Sequence, residues 1–275
     1  MAAVLTKLEV STSGYYAYLS RTPSQQQTRR KELLKEIKQI HQDSKEIYGA
    51  PKITRILRKR GHQVSQRHVG KIMQENAIKA HYAKPWTKTT KNCDFSTELQ
   101  NILARDFNPK EANRAWCTDI TYIWTHHDEF VYLTSVMDLF SRKIIAWTLS
   151  RTMEVEEVLK CLEIAKERRG SDKPIVLHSD RGSQFVSKKY KELTESMIAS
   201  YSRKGNCWDN ACIEAFHAVI KREWLTRYKP ENYEHCYQLV FEYIEGFYNT
   251  VRIHSHCDYI SPNEYERKAI SENNS

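Results

Sequence analysis

The sequence contains no apolar run approaching the roughly 20 residues that a membrane-spanning helix needs. Its first residues, Met1-Ala-Ala-Val-Leu-Thr-Lys-Leu, are interrupted by Lys7 and Glu9, so a secretory leader is not expected. The seven cysteines are odd in number, and no two stand as Cys-x-x-Cys. That excludes a regular disulfide framework and favours a reducing compartment where thiols act as small core residues. His254, His256 and Cys257 lie close together, but no second ligand pair at zinc-like spacing accompanies them. A turn or a partly buried polar cluster is the expectation there. Internal repeats, low-complexity tracts and a heptad zipper are all lacking. A soluble, cytoplasmic protein with no membrane partner is expected.

Charge is plentiful and uneven. The net charge is +9 over 275 residues, but residues 1–100 carry 19 Lys+Arg against 8 Asp+Glu, or +11, and residues 101–275 carry 24 against 26, or −2. A basic excess confined to one segment points to a polyanionic partner. Within it, residues 1–22 read as a short helix or arm broken at Ser11-Thr-Ser-Gly14, and residues 24–45 place Leu33, Leu34, Ile37 and Ile40 on one helical face. Gly49-Ala-Pro51 ends that helix. Thr54–Arg60 reads as a further helix closed by Gly61, and Ser65 as the N-cap of Gln66–Glu75. Two short helices joined by a glycine-containing turn resemble a helix-turn-helix. The second would offer Gln66, Arg67, His68 and Lys71 to a DNA groove or its phosphates.

Residues 81–104 read as a polar linker, 105–228 as a second domain and 229–275 as a C-terminal helical extension. After 105 the pattern becomes β-rich: 116–125, 130–138 and 143–149 are strand candidates joined by short links, an antiparallel meander. A helix over Val155–Arg169, a strand over Ile175–Asp180, a helix near 188–197, a short strand near 198–202 and a helix over 210–225 follow. A helix around Tyr233–Tyr248 and a loop carrying Pro262 end the chain. The order βββαβαβα matches a ribonuclease-H-like core: an α/β mixed sheet flanked by helices, here preceded by a small all-α helix-turn-helix-like region.

Three carboxylates stand out on this scaffold. Asp119 lies inside the apolar run Trp116–Trp124. Asp180 ends Ile175–Asp180, with Gly182 just after, and Glu214 lies near the start of the 210–225 helix. A carboxylate in an apolar strand is costly unless a cation meets it. Hard oxygen ligands suit divalent ions, and Mg²⁺ is typically held by one or two carboxylates plus substrate phosphates. Three convergent carboxylates in a basic protein therefore suggest metal-dependent chemistry on a nucleic-acid backbone. Asp138 is the rival acid; its place before the Phe140–Arg142 turn favours a structural role with Arg142 as partner. Asp209 is expected to cap the following helix together with Asn210. His178 alternates with Asp180 on one strand face, and both a site role and a packed core histidine stay open. Arg203 and Lys204, in a turn with Gly205 and Asn206, are candidates for DNA phosphates.

Trp116-Cys-Thr-Asp-Ile-Thr-Tyr, Val136-Met-Asp-Leu-Phe-Ser-Arg-Lys143, His178-Ser-Asp-Arg-Gly-Ser-Gln-Phe185 and Ser202–Glu214 together resemble the OrfB-type transposases of the insertion-sequence-three family. The similarity runs from Ser11-Thr-Ser-Gly-Tyr-Tyr16 to Tyr248-Asn249 and Arg252. It implies a retroviral-integrase-like DDE core with Asp119, Asp180 and Glu214 as the catalytic, metal-binding acids. It also implies two Mg²⁺ (or Mn²⁺) ions, with Asp119 bridging both and Asp180 and Glu214 each holding one. The family carries a basic residue seven positions after the glutamate, occupied here by Lys221, about 10 Å along the same helix face. In this chain 33 residues lie between Asp180 and Glu214, two fewer than is usual in the family, which reads as a trimmed surface element around 193–200. Further implications are terminal inverted repeats and target DNA as substrates, a homo-oligomer on DNA, an upstream-frame partner or frameshift fusion, and a bacterial, nucleoid-associated setting. A DNA-binding regulator without catalysis and a nuclease without transposition are the competing readings.

Overall fold

The computed structural model describes residues 2–81, 99–171, 173–204 and 206–273. The expected linker lies outside the described residues over 82–98, as does Gly205 of the expected turn. The chain divides into two compact units, Met1–Ala80 and His81–Ser275.

The first unit is helical: α1 (Ala2–Lys7), α2 (Thr12–Leu19), α3 (Gln25–Asp43), α4 (Ala50–Lys59) and α5 (Gln66–Glu75). Ser24 and Gln27 close a reciprocal capping box at the start of α3, satisfying two of its orphan N–H donors. Leu33, Ile37 and Ile40 then meet Ile53 and Leu57 of α4 and Val69, Ile72 and Met73 of α5 in the buried interior. The helix expected from Thr54 starts four residues earlier. Pro51 falls in the first turn of α4, where a missing N–H costs nothing. Gly61, at φ +89°, turns the chain, and Ser65 Oγ accepts from His68 N–H at 3.2 Å to cap α5.

The second unit holds, among the described residues, a five-stranded sheet: β1 (Ala115–Thr125), β2 (Glu129–Asp138), β3 (Ile144–Ser150), β4 (Val176–Ser179) and β5 (Ile198–Tyr201), in the order β3-β2-β1-β4-β5. The meander β1-β2-β3 is antiparallel; β4 runs parallel to β1 and β5 parallel to β4. Returning from the outer strand β3 to a parallel place beside β1 requires a crossover, and α6 (Val155–Arg169) supplies it. Val158, Cys161, Leu162 and Ala165 of α6 pack on Trp116, Val136, Ala146 and Leu177 of the sheet. α7 (Lys188–Leu193) stops at Leu193, short of the expected 197, and only residues 194–197 separate it from β5.

A short 3₁₀ turn, Cys207–Asn210, leads into α8 (Ala211–Ile220), a π-helical stretch Lys221–Leu225 and α9 (Thr226–Tyr228). α10 (Tyr233–Phe241) continues into a second π stretch, Glu242–Tyr248, and Pro262 opens α11 (Pro262–Asn273) instead of lying in a loop. Side chains from this C-terminal segment complete the edge of the sheet. Asn249 accepts from Ile144 N–H at 3.0 Å and donates to its carbonyl at 2.9 Å, and Trp147 Nε1 donates to Glu245 at 3.0 Å. Glu223 receives Arg252 bidentately at 2.7 and 2.8 Å and Tyr243 OH at 2.7 Å.

Candidate active site

β1 and β4 pair only over Ala115–Cys117, the last register pair being Cys117 with His178. Two residues on along each parallel strand stand Asp119, in the middle of β1 and still paired with Ser135 of β2, and Asp180, just past the carboxyl end of β4. The open end of such strands is where α/β sheets collect ligands. α8 crosses β1 at the same level, with Asn210 Nδ2 donating to the Thr118 carbonyl at 3.3 Å, and carries Glu214 on its first turn. Lys221 then reaches β1 directly: its Nζ lies 2.6 Å from Thr121 Oγ1 and 4.7 Å from the centre of the Tyr122 ring.

The electrostatics record the convergence. Asp180 is pushed up from its ordinary 3.8 to about 6, first by burial and then by the charge of Asp119, although Gly182 N–H donates to its Oδ1 at 2.9 Å. Glu214 is pushed up from 4.5 to about 7 by loss of water and then by Asp119 and Asp180. The Glu214 residue is nevertheless largely exposed, so water screens part of its interaction and Asp180 is the more confined acid. Among the described residues no three His, Cys, Asp or Glu side chains close on a common point as an ion cage; the three carboxylates stand within electrostatic range of one another. Their donor set is hard oxygen, and the crowding of negative charge is what a divalent cation relieves, so these residues fit Mg²⁺ or Mn²⁺.

One contributor escaped the sequence reading. His217 is buried on α8, one turn after Glu214. Its Nδ1 lies 3.3 Å from Asp119 Oδ2 and its Nε2 3.3 Å from Ser135 Oγ. Ser135 is the register partner of Asp119 across the β1–β2 ladder, so the imidazole bridges two facing residues and orients the carboxylate. A histidine three positions after the glutamate was the available signal; its partner on β2, 82 residues earlier, was not legible.

The other candidates fall in different places. His178 is fully buried, with Nδ1 2.9 Å from Ser200 Oγ and Nε2 3.1 Å from Ser202 Oγ, and burial pushes it down to about 4. Of its two readings, the packed histidine is the one observed. Asp138 is structural, but its expected partner is replaced: it accepts from Asn113 N–H at 2.9 Å and Phe140 N–H at 3.0 Å and faces Arg169 at 3.7 Å. Arg142 instead donates to the Leu139 carbonyl. Asp209 does not cap α8. Its buried carboxylate accepts from the Arg203 backbone N–H and guanidinium, Arg105 Nε and Asn101 Nδ2, and Arg203 first and foremost holds it well below the usual range. The candidate DNA contact Arg203 is thus engaged by Asp209, while Lys204 is exposed. Gln66, Arg67, His68 and Lys71 are exposed along α5 of the other unit. His256 packs against the Phe140 carbonyl at 2.9 Å and Cys257 against that of Ser141 at 3.0 Å, a partly buried polar cluster.

The sheet order, the acids in the middle of β1 and just past the end of β4 and the helix carrying Glu214 define a ribonuclease-H-like core of the integrase type. Two integrase core domain models match, over residues 109–207 and 196–262, and an HTH-like domain model matches residues 28–86. The transposase for insertion sequence element IS904 of Lactococcus lactis is 34% identical over 251 residues, 90% of this chain and 99% of that protein. The transposase InsF for insertion sequence IS3A of Escherichia coli is 31% identical over 98% of this chain and 94% of its own length. The chain belongs to the transposases of the IS3 family. Among solved structures, the HTLV-2 integrase catalytic core domain in complex with magnesium (trimeric form) is similar over 57% of this chain and 98% of that one, at 17% identity and a TM-score of 0.44.

Proposed function

We propose that this transposase cuts DNA at the ends of its insertion sequence and joins a 3′ end to DNA, using Asp119, Asp180 and Glu214 to hold two Mg²⁺ (or Mn²⁺) ions. The observation that carries the reading is the mutual crowding of these acids, with Asp180 raised to about 6 and Glu214 to about 7 by burial and by neighbouring carboxylates. Bound there, such ions supply activation of the attacking oxygen and stabilisation of the leaving oxygen in an in-line displacement. The chain's own part is positioning. β1 presents Asp119 from its middle and β4 presents Asp180 just past its end, His217, itself held by Ser135, fixes the Asp119 carboxylate, and α8 brings Glu214 over them. Lys221, seven residues on, meets a neighbouring phosphate.

Recognition is divided between the units. Gln66, Arg67 and Lys71 on α5 contact the terminal inverted repeats, and Lys204, with Arg203 beside it, follows the phosphates near the acids. The active complex is a homo-oligomer on end and target DNA, formed with an upstream-frame partner or frameshift fusion in the nucleoid-containing cytoplasm. The test is Mg²⁺-dependent strand transfer on duplex DNA carrying the element's terminal sequence. Asp180→Asn is expected to abolish cleavage and joining while DNA binding survives. Binding without cleavage by the native chain would point to a regulator, and cleavage without joining to a nuclease.

A further inference from the structure

The outer halves of β1 and β2 carry aromatic rings that the fold leaves in water. Tyr122 is 40% exposed, Trp124 55% and Phe130 43%. They form one contiguous platform: the Phe130 ring is edge-on to Tyr122 at 5.4 Å and to Trp124 at 4.9 Å. The register explains the grouping, because Trp124 faces Phe130 directly and Tyr122 is two residues back along the same strand face. β4 covers β1 only as far as Cys117, so this stretch has β2 as its ladder partner and an open side opposite. The open side faces a groove of about 750 Å³ whose far wall is the π stretch and α9, with Lys221, Lys229 and Pro230 on its rim.

Two features decide what this surface takes. Lys221 joins the platform to the acids: its Nζ lies over the Tyr122 ring while bonded to Thr121, two residues from Asp119. Lys221 and Lys229 give the groove two cationic walls against one carboxylate, Glu231, a polarity complementary to phosphate. Aromatic faces combined with flanking cations are the chemistry that binds unpaired nucleotides, stacking the base while neutralising its backbone. A second copy of the chain is less well matched. Three half-exposed rings present roughly 300 Å² together, against about 800 Å² per partner in an interface of standard size.

We propose that Tyr122, Trp124 and Phe130 form a stacking subsite for an unpaired nucleobase of the DNA strand entering the acid site. The subsite holds open the end of the duplex beside the bond to be cut, and Lys221 and Lys229 take its flanking phosphates. This rests on the proposed action at DNA ends, and the two are separable by experiment. The probe is a duplex carrying the element's terminal sequence, with its last two base pairs either matched or mismatched and 2-aminopurine in the mismatched strand.

Native protein is expected to quench the 2-aminopurine and to bind the mismatched end more tightly than the matched one. Trp124→Ala and Phe130→Ala are each expected to lose about tenfold in affinity for the mismatched end, with the matched duplex little changed. Trp124→Tyr is expected to restore the preference, and circular dichroism to report an intact fold, since these side chains are half in water. Equal losses on both duplexes, or none on either, would overturn the subsite. So would a shift in sedimentation velocity from dimer to monomer with DNA affinity intact, which marks the platform as a contact between copies. If the native chain stacks the base but neither cuts nor joins, the subsite stands and the proposed activity fails.

Discussion

Replacing Asp180 by asparagine is expected to make the metal-free protein more stable, not less. The side chain keeps its place: the amide oxygen still accepts from Gly182 N–H, a 2.9 Å bond in the native chain. What disappears is a confined negative charge facing Asp119. The interval from 3.8 to about 6, at 1.36 kcal/mol per pH unit, sets a ceiling of about 3 kcal/mol on the cost of ionising Asp180 in the folded state. Asparagine also gives up water, so the net gain is about 1–2 kcal/mol, or roughly 3–6 °C in Tm for a unit of this size. The pH dependence carries the sign. A carboxyl raised on folding contributes stability that is fully present below its unfolded value near 4 and is lost as pH rises through about 6. The variant therefore gains most over the native chain at pH 8 and almost nothing at pH 4. Thermal melts in EDTA across that range are the assay, and saturating Mg²⁺ is expected to reverse the order. A variant less stable than native at pH 8, or an advantage independent of pH, would refute the account of the acids as mutually repelling.

Other substitutions probe separate contacts. His217→Asn, which keeps a donor near Asp119, and His217→Ala are expected to lower strand transfer by about 10- to 100-fold when the support is fully lost, with the asparagine variant milder and both requiring more Mg²⁺; a Mg²⁺ titration of the rate reads this. Lys221→Ala is expected to weaken binding of DNA ends and to reduce the salt slope by about one, measured by fluorescence anisotropy at several salt concentrations. Glu223→Ala strands the buried Arg252, which Glu223 holds at 2.7 and 2.8 Å, and is expected to cost about 3–5 kcal/mol by urea denaturation.

Local patterning carried much of this structure. The β-branched and aromatic run Trp116–Trp124 and the short links after Thr125 and Asp138 specify an antiparallel meander, because residue type and turn length are properties of neighbouring residues. The same holds for the Ser65 cap and the Gly61 turn in the basic unit, and for the uneven charge. The contexts of Asp119, Asp180 and Glu214 were likewise visible one motif at a time. The length of α7 and the opening of α11 at Pro262 were misjudged, since helix ends depend on what packs against them.

Contacts between distant residues were decided by the fold alone. Asp138 takes Arg169 rather than Arg142, because the turn points Arg142 at the Leu139 carbonyl while α6 brings Arg169 across the end of β2. Asp209 is drawn from a capping role into a clamp by Arg105, more than a hundred residues upstream. His217 finds Asp119 and Ser135 only once α8 lies on the β1–β2 ladder. Sequence by itself determined which side chains are available and where most strands and helices lie, since those follow from short-range periodicity. Tertiary structure determined which charges share a neighbour, since Coulomb and hydrogen-bond energies depend on distances that exist only after the sheet and its crossovers have formed.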